Sequence, residues 1–125
     1  MIKLVISNIP PHKSKKIMKM SDIERLKYDA TFSIWIDNEL FFHVDDFIIF
    51  DFLYYFNLWK NHGSTSDFYY NCIETEDNPL ISFVKKGDLW YLSSTWQNFE
   101  LHQPIDKYAF ISEVDNLIRE NSLLI

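Results

Sequence analysis

Few residues in this chain could do chemistry, and their spacing excludes more than it builds. The four histidines are His12, His43, His62 and His102. None falls in the HxH or HExxH spacing that sets two imidazoles on one metal ion. Cys72 is the only cysteine, so an intrachain disulfide is excluded, as are zinc sites built on four cysteines or on two cysteines with two histidines. It reads as a small apolar residue inside a strand. The only glycines are Gly63 and Gly87. Phosphate-cradling loops and nucleophile elbows need glycine where backbone approaches a ligand or turns sharply, so those motifs are absent. No metal and no cofactor is expected.

What remains is acidic and aromatic. Glu74, Glu76 and Asp77 stand close together. On a strand, Glu74 and Glu76 would share one side. With a histidine they would suit a small hydrolase dividing acid and base roles between carboxylates; solvated, they form a binding rim. Trp35 sits on the polar side of an alternating segment, with Asp37 two residues on. A tryptophan on a solvated face is a candidate interface anchor, and Trp96 follows the same logic. The candidate partner-contact set is therefore Trp35, Asp37, Glu74, Glu76, Asp77 and Trp96. Asp51 interrupts an apolar run. It is expected on the exposed side of a helix; if buried, it needs a partner such as Tyr54, Tyr55 or a lysine.

The elements that must carry these residues follow from periodicity. Residues 2–7 alternate as a short strand that Pro10-Pro11 closes. Residues 12–21 are basic, with Lys13, Lys15, Lys16 and Lys19. They read as a surface loop or short helix, and they lack the aromatics of a base-stacking platform. Residues 26–36 alternate with Tyr28, Ala30, Phe32, Ile34 and Ile36 on one face. Asp37-Asn38 makes a two-residue turn into a returning strand at 39–43. The run 46–62 is rich in strand-favouring residues, yet it is too long for a strand. Its stripe of Ile49, Phe52, Leu53, Phe56 and Trp59 has helical spacing. Asp45 or Asp46 is the expected N-cap and Gly63 the C′ residue. Strands are expected at 68–76, 80–86, 89–95 and 96–102, with turns at Asp77-Asn78-Pro79 and Lys86-Gly87-Asp88. Of Trp90, Leu92 and Trp96, two are expected in the core. Pro104 and the N-cap Asp106 open a last helix with Phe110, Ile111, Val114, Leu117 and Ile118 inward.

These segments give an α+β fold in the order β-β-β-α-β-β-β-(β)-α: one mostly antiparallel sheet of about six strands with two helices on one face. The 125 residues, 47% of them hydrophobic and 18% aromatic, suit a single domain spanning 1–125 and exclude disorder. No apolar run reaches the ~20 residues a bilayer span needs, and the first residues lack a secretory leader's apolar stretch. A cytoplasmic protein is expected. Net charge is −6, split between +4 in residues 1–30 and −10 in residues 31–125. An acidic body repels phosphates and complements a basic protein.

The stretch DFIIFDFLYYFNLW at 46–59, with Glu74, Asn78-Pro79-Leu80-Ile81 and Phe83, then Trp90 and Trp96-Gln97, resembles small low-GC bacterial proteins similar to the immunity proteins of polymorphic-toxin and contact-dependent inhibition systems. The resemblance spans roughly residues 30–120 and carries over no site residue. It implies a compact α+β domain that binds a cognate toxin, often a nuclease, and occludes its active site. The alternatives are the small hydrolase and a structural subunit that self-associates through Trp35; a monomer and a homodimer both stay open.

Overall fold

The computed structural model describes residues 1–11, 15–101 and 103–125. His12, Lys13 and His102 lie outside the described residues. Strand β1 (Ile2–Ser7) leads to a single 3-10 turn (Ile17–Lys19) and a one-turn helix, α1 (Asp22–Arg25). Ser21 caps α1, with Ser21 and Glu24 bonding reciprocally in a capping box. Then come β2 (Ala30–Ile36), β3 (Glu39–Phe47), α2 (Ile49–Asn61), β4 (Phe68–Tyr70), β5 (Ile81–Lys86), β6 (Leu89–Ser94), β7 (Ile105–Asp106) and α3 (Lys107–Glu120).

The fold is α+β, and its strands divide into two antiparallel sheets, β1-β2-β3 and β4-β5-β6-β7, instead of one. The Asp37-Asn38 turn forms as the sequence indicates, with φ of 50° and 66°. Asp37 additionally pairs with the amino terminus of Met1. Three expected strands change. Residues 26–29 precede β2 and lie outside any strand, residues 26 and 27 forming a turn. The strand expected at 68–76 stops at Tyr70, because the chain then folds into a turn held by Asn78. Among the described residues of 96–102 there is no strand. That segment leaves β6 and ties to β3 through Asn98, whose N–H donates to Phe41 O (2.8 Å) and whose side chain donates to Leu40 O (3.0 Å). The last strand is instead the two-residue β7.

Helix α2 decides the interior. Neither Asp45 nor Asp46 caps it: both lie in β3, which runs on to Phe47, and Ile48 occupies the N-cap without a side-chain bond. Gly63 does stand at C′ with φ +98°. The stripe Ile49, Phe52, Leu53, Phe56 and Trp59 is buried, as are Phe50, Asp51 and Asn57, so the helix is enclosed almost all round. This enclosure overrides strand propensity, because a central helix satisfies its own backbone groups where a strand would need partners on both edges. The rings form a chain through the core: Phe32 to Phe52 (5.0 Å between centroids), then Phe56 (5.3 Å), Trp59 (5.6 Å), Trp90 (5.9 Å) and Phe110 (4.6 Å). The chain links β2, α2, β6 and α3 into one continuous core. Such ring pairs each add ~0.5–1.5 kcal/mol beyond burial of area. Asp106 caps α3 by accepting from the Tyr108 and Ala109 N–H groups, and Phe110, Val114 and Leu117 face inward. Trp90 and Leu92 are core; Trp96 is not.

The basic segment is partly accounted for by the fold. Lys16 Nζ donates to Ser122 O and Leu123 O beyond the end of α3, where a cation is favoured. Lys15 pairs with Glu24. Among the described residues no helix is long and apolar enough to cross a membrane.

Candidate functional site

The most organised surface feature is the connection between β4 and β5. Its residues 71–80 fold back on themselves because one side chain replaces the missing ladder. Asn78 Oδ1 accepts from Cys72 N–H (2.8 Å), while Asn78 Nδ2 donates to Cys72 O (3.0 Å) and Thr75 O (2.8 Å). Thr75 Oγ1 accepts from Asp77 N–H (3.1 Å). An asparagine able to donate and accept at once is what such a turn requires. The far side is pinned from the end of β6, where Trp96 Nε1 donates to Asp77 Oδ2 (3.0 Å) and Thr95 Oγ1 donates to Asp77 O (2.9 Å).

The result is a ridge between two clefts. Asn71 and Ile73 line one cleft, while Cys72, Glu74 and Thr75 line the other. Ile73 stands on the ridge with 73% of its surface exposed. Three of the expected contact residues, Glu74, Glu76 and Asp77, lie here, and Trp96 (40% exposed) joins them across the smaller cleft, which Asp46 also lines. Glu74 and Glu76 belong to the turn, not to a strand, and so do not share a strand face. Among the described residues Asp46, Glu74, Glu76 and Asp77 form no ion pair.

Cys72 is buried at the base of the ridge, in the turn and not in a strand. Burial pushes its thiol up from the ordinary cysteine range, so the thiolate a nucleophile needs is disfavoured.

The larger cleft, of about 310 Å³, opens on the other side of the ridge. Its floor corrects the expectation for Asp51, which is 6% exposed rather than facing solvent. Its partners are not Tyr54, Tyr55 or a lysine. They are Arg25 Nε (3.1 Å) and the Tyr70 hydroxyl (2.9 Å), both donating to it. Arg25 is 2% exposed and also donates to Met20 O (3.1 Å) and to Asp22. The Tyr54 ring covers its guanidinium at 3.7 Å. Burial draws the Arg25 pKa down, but the bonds to Asp51 and Asp22 outweigh it and leave it raised. Burial first, and the Asp51 charge second, push the Tyr70 phenol up. Tyr55 and Tyr69 stand exposed at the mouth.

Trp35 and Asp37 are not part of this site. Trp35, 38% exposed, lines a separate shallow cleft with Met1, Lys3, Val5 and Asn38, on the open face of the first sheet. On that face a bonded chain escaped sequence reasoning: Ser33 Oγ lies 2.8 Å from His43 Nδ1, and His43 Nε2 lies 2.9 Å from Asp45 Oδ1. Its residue types are those of a nucleophilic relay. However, β2 is paired on both edges, so the ladders engage the amides beside Ser33 that would otherwise hold an oxyanion. Among the described residues no histidine lines either cleft beside the ridge, and no group of three or more His, Cys, Asp or Glu is gathered to hold a metal.

Sequence reasoning also missed Arg25, Tyr69 and Ile73. Arg25 counted only toward the +4 of residues 1–30. For Tyr69 a signal existed, since it alternates against the core residues Phe68 and Tyr70. No curated protein and no solved structure matches the chain significantly. Residues 6–122, nearly the whole fold, match one family throughout, and the chain accordingly belongs to the family described as Domain of unknown function (DUF7878).

Proposed function

We propose that this chain is a cytoplasmic protein-binding module of the immunity type, which seats its acidic ridge on a basic partner, such as a nuclease toxin, and occludes that partner's active site. One observation carries the reading: Asp46, Glu74, Glu76 and Asp77 lie on or beside a ridge fixed by Asn78 and Trp96, and among the described residues none has a cationic partner. A turn already ordered loses little entropy on binding. Unpaired carboxylates draw in a basic surface and gain partners on contact. Ile73 and Trp96 offer apolar area beside those charges, the combination that makes hot spots.

The test compares wild type with a Glu74→Gln, Glu76→Gln, Asp77→Asn variant. Each is used to capture partners from the native host lysate, and the captured protein is then purified and assayed for its own activity. The expected outcome is one basic protein that wild type alone retains and inhibits, with an association rate that falls steeply as salt rises. A partner that binds and is inhibited equally by the variant, or whose association ignores salt, would sink the reading.

One observation favours a second reading, a small hydrolase: the Ser33–His43–Asp45 chain. Turnover of an activated ester that disappears in Ser33→Ala would move the assignment there.

A further inference from the structure

The larger cleft has a chemistry of its own. The cation in its lining is already matched: Arg25 donates to Asp51, Asp22 and Met20 O, and its flat face lies under the Tyr54 ring. An entering anion would meet Asp22 and Asp51 beside a guanidinium with little left to offer. A cation fares better: Asp51 is engaged by Arg25 and Tyr70, but Asp22, bonded to Arg25 through one oxygen, faces solvent with the other. The lining holds two carboxylates against one arginine, and the Asp22 side chain is largely open to solvent. Tyr55 and Tyr69 present exposed rings at the mouth, and Leu26 and Ile73 supply apolar walls for an aliphatic stem. Aromatic faces beside a carboxylate attract ammonium and guanidinium groups, and long basic side chains bury their methylenes against apolar surface. The volume lies at the lower end of ligand pockets, roughly 300–1,000 Å³.

We infer that this cleft receives a basic side chain, the guanidinium of an arginine or the ammonium of a lysine, projecting from the protein that docks on the ridge. The inference rests on the proposed protein-binding function only for the source of that side chain; the cleft's preference for cations stands or falls separately.

The test titrates the 125-residue chain, with its isoleucine methyl groups and tyrosine rings observed by NMR. The probes are N-acetyl-arginine methylamide, N-acetyl-lysine methylamide and inorganic phosphate. The expected result is saturable shifts at Ile73 and Tyr69 with both basic probes and none with phosphate. Tyr69→Ala and Asp22→Asn, both at exposed side chains, should each weaken binding by about two- to fivefold. Absence of shifts up to about 50 mM probe, where even a very weak site would fill, overturns the inference, as does preference for phosphate or binding unchanged in both variants. If the cleft fails while the ridge variant still loses its partner, only the cleft is wrong. If the probes bind but the ridge variant keeps its partner, the cation site stands and the docking function falls.

Discussion

Asp51 offers the sharpest test of how this fold is held together. Asp51→Ala removes the carboxylate that accepts from Arg25 Nε and from the Tyr70 hydroxyl. Two groups are then stranded. Arg25 keeps Asp22 and Met20 O, but Asp22 is largely solvated, so a buried guanidinium loses its buried counter-charge. Breaking a buried pair on one side costs about 3–5 kcal/mol, and a buried hydroxyl without an acceptor costs about 1–3 kcal/mol. These penalties overlap, and Asp22 softens the first, so a loss of about 3–4 kcal/mol is expected. That is a large share of the roughly 5–15 kcal/mol that holds a domain of this size. The assay is urea unfolding followed by tryptophan fluorescence, read as a change in midpoint at constant slope. A double-mutant cycle adds the decisive comparison. Arg25→Met with Asp51→Leu replaces the pair by apolar side chains and should recover at least about 2 kcal/mol over the sum of the two single variants. A loss below about 1 kcal/mol in Asp51→Ala, or strict additivity in the cycle, would refute the claim that Arg25 depends on Asp51.

Three further outcomes follow. Asn78→Ala removes three hydrogen bonds of the ridge turn; it should cost about 1–3 kcal/mol, and the Cys72 amide should exchange with deuterium faster while core amides hold. Because the folded state raises the Tyr70 pKa, that contribution is fully present below the unfolded value of about 10 and is lost as pH rises above it. Unfolding free energy should therefore fall by up to about 1.4 kcal/mol per pH unit beyond about pH 10 from this proton alone, and alkaline denaturation of Tyr70→Phe should lack that component. Lys16→Ala frees the carbonyls of Ser122 and Leu123. It should cost less than about 1 kcal/mol yet speed exchange of the Ile17 amide, which donates to Leu124 O (2.8 Å).

Local rules legible in the sequence located most elements. Period-two alternation found β1 and β2, the Asp37-Asn38 pair found the turn into β3, and helical spacing with Gly63 and Asp106 found α2 and α3. These features depend on neighbours within a few residues, so one sequence suffices. Alternation also placed Trp35 on the polar side of its strand and two of Trp90, Leu92 and Trp96 in the core, but that these two are Trp90 and Leu92 was decided only by the turn that carries Trp96 out of β6. The division into two sheets did not. A strand's edge partner is chosen by long-range packing, and here α2 and α3 fill the core that both sheets share. Residues 71–76 and 96–102 have strand-like composition, but Asn78 and Asn98 supply hydrogen bonds that a ladder would otherwise provide. The grouping of Glu74, Glu76, Asp77 and Trp96, apart from Trp35 and Asp37, also came from tertiary structure. Asp51 shows why most plainly. Its type announced a need for a partner, but that partner, Arg25, stands 26 residues away, and only the folding of α1 onto α2 brings the two charges together.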